Sequence, residues 1–183
     1  MLSDSQYTVV WDFLLGTRSE ADTVAVLGAD PRSDAEFLPG FLADTMHRRD
    51  ADGVEAGLGL MARFDQLGPE RVPVLCELLV AEWHHRHEDV ARLLQQLADP
   101  AAVPALHRAA ELDLPYLAYD GNRALSRKCM WALSDIRTGD AIAALESLAR
   151  SPDLVVRDLA AYHLAKIRNG EPPSPASRRH RDR

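Results

Sequence analysis

The sequence predicts an all-α fold, and within that class an α-solenoid of stacked antiparallel helix pairs. Two recurring patterns predict it. The first runs bulky apolar residue, usually proline, then a small residue or valine, then Leu or Phe. Its copies are Leu38-Pro39-Gly40-Phe41, Val72-Pro73-Val74-Leu75, Val103-Pro104-Ala105-Leu106 and Ile142-Ala143-Ala144-Leu145, with starts 34, 31 and 39 residues apart. The second is an apolar triplet at spacing four then three: Leu60, Phe64, Leu67; Val90, Leu94, Leu97; Cys129, Leu133, Ile136; Ala160, Leu164, Ile167. Steps of three and four put each triplet on one helical stripe. Repetition at this period marks stacked helical units, none of which shields its apolar side alone.

The elements follow in order. Tyr7, Val10, Trp11, Leu14 and Leu15 keep helical spacing and Gly16 stops them. Ser19 to Leu27 suits a short helix, with Ser19 as cap and Asp22 three residues on, but the β-branched run Thr23-Val24-Ala25-Val26 also suits a strand. Residues 1–33 therefore read as an N-terminal helical cap on the stack. Residues 34–168 read as about four repeats. Each first helix carries the proline motif and extends it by one turn, as in Val72, Leu75, Leu79; Val103, Leu106, Ala110; and Ile142, Leu145, Ala149. Asp99-Pro100 is an N-cap followed by proline where a missing N–H costs nothing. Each second helix carries the four-then-three triplet. An insertion of about eight residues lies between Leu112 and Arg123, and Pro115, Asp120, Gly121 and Asn122 mark it as turn-rich. From Asn169 onward Gly170, Pro172, Pro173 and Pro175 oppose a further helix, so residues 169–183 read as a disordered basic tail.

Composition narrows the function. Apolar residues make up 46% of the 183, which suits a folded domain with a real core. No apolar run approaches the ~20 residues that cross a bilayer, and Met1 to Thr8 does not open a secretory signal, so a cytoplasmic protein with no membrane partner is expected. Cys76 and Cys129 match no metal spacing and fall in apolar helical patterns, as small core residues with free thiols. Net charge is −7, and the last six residues carry +3, which leaves −10 on residues 1–177. An acidic body disfavours nucleic acid, whose binding needs cations to displace counterions, and favours a basic partner.

The junctions between pairs carry a family resemblance. Leu94-Gln95-Gln96-Leu97-Ala98-Asp99-Pro100-Ala101-Ala102-Val103-Pro104-Ala105-Leu106 resembles the HEAT-repeat consensus, especially the short bacterial kind also found in phycobilin lyases. Ser151 to Ile167 is similar to the second helix of that repeat, with Val156-Arg157 where such repeats place Val-Arg. The third unit departs, since Leu125-Ser126 stands at that place. The resemblance covers residues 69–168 most closely, 34–68 less so, and fades before residue 33. It implies first helices on a convex side and second helices lining a concave side. It implies no chemistry.

The repeat register locates a face. Opposite the buried stripe of the last helix lie Asp158, Tyr162 and Ala165; one repeat earlier lie Arg127, Trp131 and Ser134; another earlier, Glu88, Arg92 and Gln95, with His85 one turn before. Trp131 and Tyr162 fall in register there. Aromatics flanked by arginine and carboxylate have the composition of a protein-binding hot spot, though the same rings also suit gap-filling between helices. The insertion adds Tyr116 and Tyr119 at one rim. The expected partner-binding set is therefore His85, Glu88, Arg92, Tyr116, Tyr119, Arg127, Trp131, Asp158 and Tyr162.

One segment suggests chemistry instead. Glu82-Trp83-His84-His85-Arg86-His87-Glu88-Asp89 offers zinc or iron ligands, with His84, His87 and Glu88 as the useful members. A solvated turn between helices explains it as well. HEAT-like deoxyhypusine hydroxylases use several His-Glu pairs, and this chain has one, His87-Glu88. HEAT-like alkylpurine DNA glycosylases pair a concave Trp and Asp with a basic groove; Trp131 and Asp158 match the pair, but the acidic body does not match the groove. No nucleophile elbow or phosphate-cradling glycine loop occurs. The expectation is a non-enzymatic interaction module without cofactor, binding another protein, in the manner of an immunity protein or regulator. The alternative is a metal-dependent or lyase-like enzyme or accessory at the His84–Glu88 cluster. The sequence leaves oligomeric state open.

Overall fold

The computed structural model describes residues 2–120 and 123–176. Among them the chain is all-helical, with ten α-helices, three 3-10 turns and no strand. It divides into two compact units, Met1–Leu67 and Gly68–Arg183.

The first unit holds α1 (Asp4–Leu14), α2 (Glu20–Leu27), α3 (Phe37–Arg48) and α4 (Ala51–Arg63). Ser3 opens α1 with a capping box completed by Gln6, which satisfies two backbone N–H groups at once. The segment left open between helix and strand is helical: Ser19 caps α2, Gly28 closes it at φ +73°, and the buried Thr23 hydroxyl donates back to Ser19 O at 2.8 Å. That local bond satisfies the buried hydroxyl within the helix. Asp50 caps α4 by accepting from Gly53 N–H at 2.9 Å and also accepts from the Tyr7 hydroxyl at 2.7 Å, so one carboxylate ties α1 to the α3–α4 turn. Burial and this bond push the Tyr7 hydroxyl up to about 12.

Val10, Phe13, Leu38, Leu42, Val54, Leu60, Met61 and Phe64 form the core of this unit, with Phe13 and Phe64 rings 5.4 Å apart. The sequence reading separates residues 1–33 from 34 onward. The compact unit instead runs to Leu67, because the apolar side of α1 is buried on α4. Leu67 lies beyond the helix, which ends before Phe64, and it is only half-buried.

The second unit holds α5 (Val72–Leu79), α6 (His87–Leu97), α7 (Val103–Ala109), α8 (Arg123–Ile136), α9 (Gly139–Leu148) and α10 (Leu154–Arg168). Single 3-10 turns at Pro69–Arg71 and Pro100–Ala102 lead into α5 and α7, so Pro73 and Pro104 fall in the first helical turn, where their missing N–H breaks no ladder. Helices pack as successive pairs, α5 on α6, α7 on α8, α9 on α10. They also pack in two rows, α5–α7–α9 and α6–α8–α10.

The stripes predicted from the repeats point inward. Leu75, Leu94, Leu106, Cys129, Leu133 and Leu145 are fully buried, and Leu164 is 6% exposed. Ile142 and Ala149 are half-buried because α9 ends its row and has no following neighbour. Cys129 is buried, with its thiol pushed up by desolvation; Cys76 is half-buried, against the expectation of a core position.

The tail expectation needs correction before residue 177. Gly170 turns the chain at φ +71°, and the Arg137 guanidinium donates to Glu171 O. Ser174 N–H then donates to Asp135 Oδ1 at 2.7 Å, and its hydroxyl donates to Asp135 Oδ2. Gln95 donates to the same Oδ2 at 2.8 Å. Asp135 is 1% exposed, and a buried carboxylate unpaired is costly, so it recruits the chain end back onto α8 and α6. The basic residues Arg178 to Arg183 lie outside the described residues.

Two glycines in the first unit give opposite expectations. A Cβ on Gly57 of α4 would meet Leu42 Cδ2 at 2.6 Å and Phe41 Cε1 at 3.2 Å, both on buried side chains. Gly57→Ala should lower stability by about 1–2 kcal/mol through overpacking, in spite of alanine's better helix propensity. Gly40 of α3 is exposed with nothing within 4 Å of that position, so Gly40→Ala should raise stability by about 0.5–1 kcal/mol. Urea unfolding of both variants checks the pair.

Candidate functional site

The histidine segment lies between α5 and α6. His84 and His87 are both fully buried, not solvated as a turn would leave them. Arg86 N–H donates to His84 Nδ1 at 3.0 Å, which leaves Nε2–H to donate to Leu78 O at 2.8 Å. Leu78 O, in the last turn of α5, accepts from Ala81 N–H at 3.1 Å as well, so His84 uses its second lone pair. His87 repeats the arrangement: Nε2–H donates to Ala81 O at 3.0 Å, so Nδ1 accepts from the Tyr116 hydroxyl at 3.0 Å. The two rings stack 4.2 Å apart.

Each imidazole is thus neutral with both nitrogens used. Desolvation holds both below the usual histidine range, His87 down at about 4, and pushes the Tyr116 hydroxyl up to about 12. A metal ligand needs a free nitrogen lone pair, and neither ring offers one. Among the described residues no group of three or more His, Cys, Asp and Glu side chains is placed to hold a metal ion. Tyr116, expected to face a partner, turns its hydroxyl inward to this pair; the exposed His85 ring packs on it at 4.6 Å. Tyr119 is 76% exposed.

The row α6–α8–α10 carries the other expected residues. Trp131 on α8 is half-buried and Tyr162 on α10 is 54% exposed. The buried His163 ring meets both edge-on, at 4.7 Å from Trp131 and 5.2 Å from Tyr162. Lys166, one turn further along α10, lays its ammonium 4.3 Å from the Trp131 ring centre and 5.7 Å from that of Tyr162. Trp131 and Tyr162 are therefore brought together, with Lys166 across both. On α6, Glu88 pairs with Lys128 of α8 at 3.4 Å, and exposed Arg92 lies 3.9 Å from Asp89. Arg127 and Asp158 are exposed. Ser134 is buried, so the register step at that height is taken by Gln95 and Asp135.

Sequence reasoning missed Lys166, His163, Asp135 and the Glu171–Ser174 segment. One signal pointed to Lys166: it is one of two lysines among 21 basic residues. Nothing in the sequence marks His163 or Asp135 as buried. His163 is held down at about 4 by desolvation and by the Lys166 charge, while the charge of Asp135 works the other way.

The chain matches no family model, no curated protein and no solved structure. Among the described residues the protein is all-helical and built of paired helices, none of them long and apolar enough to cross a membrane.

Acid should destabilise this protein through its histidines. His87 and His163 have folded values near 4 against 6.5 when unfolded, so the unfolded chain takes up their protons first. Stability is full above pH 6.5, declines from there to about pH 4 and levels off for these groups below it. The loss is on the order of 3 kcal/mol per histidine. Urea midpoints measured from pH 7 to 4 check this, and His163→Phe should flatten the slope.

Proposed function

We propose that this chain is a non-enzymatic, cytoplasmic protein-interaction module of the HEAT-like solenoid type, gripping a partner protein on the row α6–α8–α10. The observation that carries the reading is the juxtaposition of Trp131 and the largely exposed Tyr162 across two neighbouring helices, with exposed Arg127 and Asp158 on the same two helices. Aromatic anchors near the centre of a patch with charges around them supply most of the binding energy in protein interfaces. The repeat resemblance supports the architecture, since helical repeats of this kind present one row as an extended binding surface.

Charge suggests the partner. The chain carries a net charge of −7, all of it on residues 1–67 while residues 68–183 sum to zero, so the attraction of a basic protein comes from the first unit and the chain as a whole disfavours nucleic acid. A small acidic repeat protein of this kind suits an immunity protein or a regulator held against a basic target. The metal-enzyme alternative loses its support because both nitrogens of His84 and of His87 are already bonded.

The experiment is capture of interacting proteins on immobilised chain from native extract, followed by titration of the captured species. Trp131→Ala should weaken binding of that species by ~2 kcal/mol, roughly 30-fold, with affinity falling as salt rises. A captured protein that binds wild type and Trp131→Ala equally well places the interface elsewhere.

A further inference from the structure

Lys166 occupies an unusual position for a surface lysine. Its side chain is only 16% exposed. Helical side chains lean toward the N-terminus, so its stem runs back over Tyr162 and His163, one turn earlier on α10. The ammonium ends over two aromatic rings from two helices. On its other side Glu171 Oε2 stands 3.5 Å away, on a side chain 47% exposed. Beneath lies His163, 1% exposed, whose Nδ1 has no hydrogen-bond partner among the described residues. Two π faces and a reachable carboxylate, floored by a neutral ring, make a slot suited to a cation. A guanidinium fits it better than an ammonium, since it is planar, stacks on aromatic faces and forks onto carboxylates.

We propose that the Trp131–Tyr162–Glu171 slot takes an arginine side chain of the partner protein, and that Lys166 is an internal stand-in which that arginine displaces. This rests on the reading of the α6–α8–α10 row as the partner face and adds what the central subsite recognises. The occupant follows from the observations already given: two cation-accepting rings and an accessible carboxylate that already close on a cation of the chain itself. Lys166 covers chiefly the half-buried Trp131 ring until a partner arrives, while Tyr162 stays largely exposed.

The slot is testable without the partner. N-acetyl-arginine amide is titrated into the full chain at constant ionic strength, with the neutral N-acetyl-citrulline amide as control, while the Trp131 indole N–H resonance is followed by NMR. Wild type should bind weakly; Lys166→Ala should bind the arginine amide roughly fivefold more tightly, and Lys166→Ala combined with Glu171→Gln should lose most of the gain. The citrulline control should not saturate with any variant. Equal affinity of wild type and Lys166→Ala, or equal binding of arginine and citrulline amides, overturns the proposal. Should Lys166→Ala fail to fold, Lys166→Gln keeps the stem, removes the charge and decides the question by the same comparison. If the slot fails while Trp131→Ala still weakens the captured partner, the face stands without this subsite; if the slot succeeds and the partner ignores Trp131, the larger reading falls instead.

Discussion

Burial of α8 on several sides governs the second unit. Nine of its fourteen residues are buried, and it packs against α6, α7, α9 and α10 at once. A helix so enclosed must satisfy every polar group it carries from its neighbours, because a buried polar atom left unpaired costs more than a bonded one gains. Ser126 on α8 meets this by donating to Ala110 O at 2.7 Å, at the end of α7. Asp135 meets it with Gln95 of α6 and with both backbone and hydroxyl of Ser174. The apolar stripes set which faces meet, and these polar contacts fix how far each helix slides along the next.

The same logic separates what was legible in the sequence from what was not. One-sided burial imposes steps of three and four, and those steps survive in the text. Hence Leu94, Leu133 and the paired Leu75 and Leu106 were readable as core, and the register that set Trp131 beside Tyr162 was readable too. Burial of polar side chains leaves no period. His84 and His87 read as a solvated turn, with metal ligands as the alternative because histidine beside acid is the usual composition of a metal site; their actual partners are carbonyls, the Arg86 N–H and a tyrosine hydroxyl, and Tyr116 lies 29 residues away from His87. A carbonyl acceptor has no signature in sequence. The compact unit that ends at Leu67 rests on other information: periodicity reports which segments resemble each other, while the burial of Phe13 on Phe64 depends on contact between segments that do not.

Trp131 and Tyr162 differ in how far their neighbours cover them. Trp131 is half-buried, with the Lys166 ammonium over its ring and the His163 ring meeting it edge-on, while Tyr162 remains more than half exposed. A ring fixed on one side and open on the other loses little conformational entropy when a partner arrives, and that preorganisation is where affinity in small interfaces originates. The surrounding charges are largely engaged already: Glu88 with Lys128, Lys166 with Glu171. Exposed pairs of this sort add little to stability. They hold side chains in defined places on the row.

The returning chain end belongs to this arrangement. Glu171 lies three residues before Ser174, and Ser174 is fixed by the buried Asp135 carboxylate. Arg137, next to the end of α8, grips the Glu171 carbonyl as well as Ser134 O. The carboxylate that reaches Lys166 is therefore positioned from two sides by α8, the helix that also carries Trp131. Trp131 stands on α8, Lys166 on α10 and Glu171 in the segment that α8 anchors, so a change at Asp135, itself nearly inaccessible, should reach the exposed surface through Ser174 and Glu171 without any residue of the face being altered. Interior polar satisfaction and the placing of side chains on the exposed row are in this way one network, and the segment that composition marks as unstructured is, as far as Ser174, what joins them.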